Sequence, residues 1–178
     1  MVRSRSNGVN PLSAAEVRAE GVDSLFLVWL AARSTEALLD QALTPVGLSG
    51  DEFALYSMLA ARESITPSEL ARWMAAPPTT VSSYVKRLES RGHASREPNP
   101  ADGRSYRLRL TRAGRAAHSG AVALVRPLST RLAEELADDE GSVGDALLRV
   151  RAAVDAVRST TEGDQRQRGL GQAPGTGG

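Results

Sequence analysis

Apolar residues recur at three-and-four spacing along most of this chain and alternate strictly in only one short stretch. From Val22 to Leu43, the positions Val22, Leu25, Phe26, Trp29, Ala32, Leu39 and Leu43 keep the period of an amphipathic helix. "TPVGLSG" breaks that run. Ser49 with Glu52 three residues later is a capping-box pattern, and it precedes a second helix carrying Phe53, Tyr56 and Leu59. "TPSEL" predicts a third start, with Thr66 as N-cap, Pro67 as first helical residue and Glu69 as reciprocal acceptor. That short helix is expected to end near Met74.

The next stretch, "PPTTVSSYVKRLESRGH", reads as a helix whose apolar stripe is thin. Val81, Val85 and Leu88 fall on one face, and Gly92 supplies the stop. The remaining surface carries hydroxyls, an arginine and Lys86, the only lysine in the chain. After His93 the period becomes two. In "RSYRLRLT", Tyr106, Leu108 and Leu110 share one face while Arg107 and Arg109 share the other. Asp102-Gly103 signals a reversal, so "HASRE" and "SYRLRL" are predicted to form a two-stranded ribbon leaning on the helices. Thr111 caps a long helical pattern, within which Pro127 is expected to bend or interrupt the helix. A last helix places Val143, Leu147, Val150, Val154 and Val157 at coiled-coil spacing. Packing on the helix's own core is the alternative for that seam. Residues 1–20 are expected to be a flexible arm, and residues 161–178 a disordered tail.

A short capped helix, a tight turn, a helix with a polar face and a basic ribbon describe a winged helix-turn-helix. The expected fold is mainly α with a small β-ribbon wing. Charge sharpens this. The chain's net charge is only +1, yet residues 72–115 hold ten basic and three acidic residues, a net of +7. The rest holds 12 basic and 18 acidic, a net of −6. Such a concentration is the footprint of a nucleic-acid surface. Phosphates would meet the start of the Thr66 helix, at Thr66 and Ser68. Pro78, Thr79, Thr80, Ser82, Ser83, Lys86 and Arg87 belong to the helix that would enter the major groove. Arg104 at the ribbon tip would enter the minor groove, with Arg107 and Arg109 following a phosphate strand. Arg87 has a second reading, as a tie to a nearby carboxylate.

"LARWMAAPPTTVSSYVKRLESRGHASREPNPADGRSYRLRLTRAG" resembles the winged helix-turn-helix of the MarR family, the multiple antibiotic resistance regulators. The "TVS…VKRLESRG" helix, the "DGR" wing and the "LT–AG" entry to the next helix carry that resemblance. Pro77 departs from it, standing where the pattern usually has a serine cap. Ser83 also departs, standing where many members carry a long polar or basic base reader. The resemblance implies a regulator, in most cases a ligand-responsive repressor, that acts as a homodimer on a pseudo-palindromic operator. Residues 48–110 would then form the DNA-binding domain, with residues 21–47 and 111–160 as the helical dimerisation region. It also implies a small aromatic or phenolic effector bound between these regions. Trp29, Arg33 and Tyr56 are the candidates to line its pocket, arginine offering a bidentate clamp. Trp29 and Tyr56 are also consistent with plain core positions.

Composition narrows the alternatives. Cysteine is absent, which removes disulfides, thiol nucleophiles and thiolate metal sites together. His93 and His118 are the only histidines and have no carboxylates at metal spacing, so neither a metal nor a cofactor is expected. "GLGQAPG" follows no strand, no Walker-type loop exists and no nucleophile is arranged, so an enzyme is not expected. No apolar run approaches the roughly 18 residues of a membrane span and no signal-peptide core follows the first residues, which makes the cytoplasm the default location. The competing reading is a winged-helix module whose basic face binds an acidic protein.

Overall fold

The computed structural model describes residues 23–170, so the expected arm at 1–20 and the end of the expected tail at 171–178 lie outside the described residues. The chain divides into a unit up to Arg126 and another from Pro127 onward.

In the first unit, α1 (Ser24–Leu43) starts at Asp23, whose carboxylate accepts the Phe26 N–H at 2.9 Å. Only Leu43 of this helix is buried, and Leu25, Phe26, Leu27, Trp29, Leu30 and Leu38 remain exposed. A 3-10 turn at Thr44–Val46 ends at Gly47, whose φ of 63° is left-handed. The chain then enters α2 (Gly50–Ala61) through the full Ser49/Glu52 capping box. The short helix α3 (Pro67–Met74) opens with the Thr66/Glu69 box. It closes at Ala75, which takes the left-handed conformation (φ 52°) that usually selects glycine. Helix α4 (Pro78–Ser90) follows at once. Pro77 is its N-cap and makes no side-chain capping bond, the physical consequence of lacking a serine there.

Strands β1 (Ala94–Pro98) and β2 (Tyr106–Leu110) pair antiparallel, with Ala94 opposite Leu110 and Pro98 opposite Tyr106. Ile65, in the loop before α3, exchanges two backbone hydrogen bonds with Leu108, so the ribbon is stitched to the helices. Leu55, Tyr56, Leu70, Val81, Val85, Leu88 and Leu108 form the centre of one core. The apolar stripe of α4 and the inner face of β2 thus point inward together, and their polar faces point out.

Helix α5 (Arg112–Leu136) starts under a double clasp. The Thr111 hydroxyl donates to the Gly92 carbonyl at 2.7 Å and accepts the Gly114 N–H at 3.1 Å. Gly114 is required here because a Cβ would lie 2.0 Å from the His93 carbonyl oxygen. Of the bend or interruption expected at Pro127, the interruption does not occur, and α5 runs through it. A proline removes one N–H from the ladder, and a helix of 25 residues keeps the others.

In the second unit, a 3-10 turn at Ala137–Asp139 leads to α6 (Glu140–Leu170). Val143 and Val150 are half-buried, whereas Leu147, Val154 and Val157 are exposed. The tail expected from residue 161 is helical as far as Leu170, since Glu, Gln and Arg propagate a helix and no proline occurs before Pro174.

Candidate nucleic-acid interface

The start of α3 is built by its own sequence. The Thr66 hydroxyl accepts the Glu69 N–H at 3.2 Å, and both the Thr66 hydroxyl and N–H donate to Glu69 Oε2 at 2.8 Å. These bonds hold the Glu69 carboxyl below the ordinary carboxylate range, the backbone bond contributing most. Thr66 is therefore occupied by its cap. Ser68 is exposed on the first turn and is the side chain there free to face a phosphate.

Helix α4 presents Pro78, Thr79, Ser82, Ser83 and Lys86 as exposed residues, with Thr80 half-buried beside them. The Ser83 hydroxyl donates to the Thr79 carbonyl at 3.1 Å, so part of its capacity is spent within the helix. Lys86 has no partner among the described residues. Arg87 is different. Its Nε lies 3.1 Å from Glu52 Oε1, and its guanidinium lies 4.7 Å from the centre of the Tyr84 ring. The tie to a carboxylate, the second reading of Arg87, is what the geometry contains. Its side chain nonetheless stays half exposed.

Sequence patterns missed the hub of this arrangement. Glu52 is only 5% exposed, and it joins Arg87 to Arg91 NH1 (3.2 Å) and to the Ser49 N–H (3.2 Å). One carboxylate thus fastens the start of α2 to the last turn of α4. Nearby, the Tyr84 hydroxyl donates to Asp51 Oδ2 at 2.6 Å. That bond and partial burial push the phenol up to about 12. The capping box signalled Glu52, but nothing local signalled its second use.

The wing sorts its arginines sharply. Arg104 is exposed at the tip, its N–H donating to Asp102 Oδ1 at 3.0 Å, and its guanidinium has no partner among the described residues. Arg107 instead turns inward. Its Nε donates to Ser64 Oγ at 2.7 Å and its NH2 to the Ser64 carbonyl at 2.6 Å, because the Ile65–Leu108 bridge brings Ser64 alongside. These bonds brace the wing against the loop before α3. Arg109 stays on the outer face but pairs with Glu97 across the ribbon at 2.8 Å. Arg96, also unforeseen, grips Glu89 through two bonds and covers the Tyr106 ring at 4.3 Å.

Trp29, Arg33 and Tyr56 are not brought together. Trp29 is 55% exposed and stacks on Phe26, Arg33 pairs with Glu36 along α1, and Tyr56 is fully buried. Periodicity put Trp29 and Tyr56 on inward-looking positions, but α1 buries almost nothing against its own unit. Tyr56 meets His93 instead, its hydroxyl 2.7 Å from Nδ1. His93 and Arg91 stand on the wall of an open cleft of about 500 Å³, with Val46, Leu48 and Ala117 as apolar lining. Among the described residues, no three metal-ligating side chains gather, and no helix is long and apolar enough to cross a membrane.

Residues 46–105 match the model of the MarR family. The chain is 34% identical over 95 residues to the HTH-type transcriptional repressor Rv2887 of Mycobacterium tuberculosis (strain ATCC 25618 / H37Rv), a match covering 53% of this chain and 68% of the relative. It is similar in structure to a mutant of Escherichia coli MarR complexed with operator DNA, at a TM-score of 0.64 and 27% identity, covering 73% of this chain and 94% of the other. It is likewise similar to the M. tuberculosis transcriptional regulator MOSR in complex with DNA, at a TM-score of 0.66 and 26% identity, covering 76% and 98%.

Proposed function

This chain belongs to the MarR family of DNA-binding transcriptional regulators, and from that premise we propose that it represses transcription as a homodimer on a pseudo-palindromic operator. The observation that carries the reading is the exposed face of α4, where Thr79, Ser82 and Lys86 stand clear of the core, together with Arg104 on the wing, whose guanidinium has no partner among the described residues. A helix so presented fits a major groove, short hydroxyls and an ammonium reach base edges, and the wing arginine reaches the neighbouring minor groove. Its place of action is the cytoplasm, beside the chromosome. Each dimer sets two recognition helices about one turn, or ~34 Å, apart.

The dimer reading is supported by unsatisfied apolar surface. Helix α1 offers Leu25, Phe26, Trp29 and Leu30, and α6 offers Leu147, Val154 and Val157. Exposed apolar area on this scale belongs against a partner. A Val150→Asp variant that remains dimeric at micromolar concentration removes the α6 seam from that interface. For the effector, a small aromatic or phenolic acid, the cleft beside Arg91 and His93 is the better candidate, since it combines apolar walls with a guanidinium.

The test is a binding titration on duplexes selected from a random pool. Affinity should fall by roughly 10³-fold or more between low and moderate salt and favour the selected duplex over a scrambled one. Indifference to every duplex in dilute buffer, with capture of an acidic protein instead, establishes the competing reading of the basic face.

A further inference from the structure

Among the described residues only two polar or charged side chains are buried, Glu52 and Asn99. Glu52 sits between helices, where burial is ordinary. Asn99 sits in the loop of the wing and is 9% exposed, although loop backbone and loop side chains normally face water. Both ends of its amide are engaged. Oδ1 accepts the Ala101 N–H at 3.2 Å, and Nδ2 donates to Ser105 Oγ at 2.7 Å. The Ser105 hydroxyl in turn donates to the Asp102 carbonyl at 3.1 Å.

The backbone repeats the pattern. The Asp102 N–H donates to the Asn99 carbonyl at 3.2 Å, and the Ser105 N–H donates to the Asp102 carbonyl at 3.0 Å. Two turns are thus nested end to end, 99–102 and 102–105, and the Asn99 side chain spans both by holding Ser105. Arg104 rides on the second turn, its N–H fixed to Asp102 Oδ1. An unbraced tip of this length, with Gly103 in it, would sample many conformations and lose them on binding.

We propose that Asn99 is a positioning residue that holds the wing tip in the conformation presenting Arg104 to the duplex. It touches no nucleic acid itself. The proposal rests on the DNA-binding reading above and adds which residue sets the geometry of the wing contact.

The experiment compares full-length wild type, Asn99→Ala, Arg104→Ala and the double variant on a selected duplex and a scrambled one, at several salt concentrations. Ser105→Ala removes the same bridge from its other end, so a folding defect in one variant does not decide the outcome. Asn99→Ala and Ser105→Ala should each weaken binding about five- to thirtyfold, the scale of one lost ordered contact. They should also lower the salt slope toward that of Arg104→Ala, while thermal unfolding of the core stays cooperative. The double variant should bind no more weakly than Arg104→Ala alone, because a brace has nothing to position once the guanidinium is gone. Multiplicative losses in the double variant would overturn the proposal, as would wild-type affinity in both Asn99→Ala and Ser105→Ala. Wild-type affinity in Arg104→Ala also overturns it, while leaving the DNA-binding reading intact. Failure of the wild-type protein to bind any duplex marks the failure of that reading itself.

Discussion

Arg87, on the recognition helix, places Nε 3.1 Å from Oε1 of Glu52, a carboxylate that also caps the start of α2. The pair ties the orientation of α4 to the helix behind it. Because the Arg87 side chain is half exposed, the ion pair itself is worth no more than about 1 kcal/mol. The larger contribution comes from what else Glu52 holds, the Ser49 N–H and Arg91.

Replacing Glu52 by alanine should therefore cost about 1–3 kcal/mol, since a buried acceptor serving several donors is lost. Glu52→Gln keeps an acceptor for Ser49 and should cost less. Urea unfolding gives the answer, as a lower midpoint at unchanged slope. A Glu52→Ala midpoint equal to wild type would mean that water replaces the carboxylate without loss.

Ala75 lies in the turn between α3 and α4 with φ 52°. A side chain in the left-handed region costs roughly 1–2 kcal/mol, and glycine returns part of that gain as unfolded-state freedom. Ala75→Gly should stabilise the protein by about 0.5–1 kcal/mol and raise Tm. A lowered Tm contradicts the strain assigned to this turn.

His118 stacks on Phe53, with Nε2 3.2 Å from the Ser57 hydroxyl, and burial pushes its imidazole below the ordinary value. The unfolded chain then binds more protons than the native one below about pH 6.5, so stability falls as pH is lowered from there toward the folded value. His118→Gln should flatten part of that fall in a series of unfolding curves between pH 7.5 and 5.5. The same slope in both proteins would assign the pH dependence to other groups.

Lys86 and Arg104 are two cations of the proposed interface that have no partner among the described residues, and they should behave differently. Arg104→Ala should weaken binding to all duplexes and lower the salt slope by about one per protomer. Lys86→Ala should relax preference at one operator position by about 1–3 kcal/mol if its contact is a base edge. Equal loss over every operator variant reassigns Lys86 to a phosphate.

The elements of this protein were legible because their signals are local. The Ser49/Glu52 and Thr66/Glu69 boxes close within four residues, the Val81–Val85–Leu88 stripe within two turns, and the alternation of β2 within five positions. Each is decided by hydrogen bonds and periods that span one turn of helix or one pleat, so order, type and approximate bounds follow from the chain alone. The clustering of basic residues between Arg72 and Arg115 was equally plain.

Which of those basic residues remain available was decided elsewhere. Arg107 is bonded to Ser64, 43 positions away, and Arg87 is paired with Glu52, while Lys86 and Arg104 stay unpaired among the described residues. Tyr56 vanished into the core against His93, 37 positions distant, and Trp29 stayed on an exposed helix. Asn99 drew no attention in the sequence, and only the fold brings Ser105 within reach of its amide. Composition and period say that a charge is present and which face it starts from. Only the close approach of distant segments settles whether it is spent inside the fold or left for a partner, because that depends on what packing places within about 3 Å of its tip.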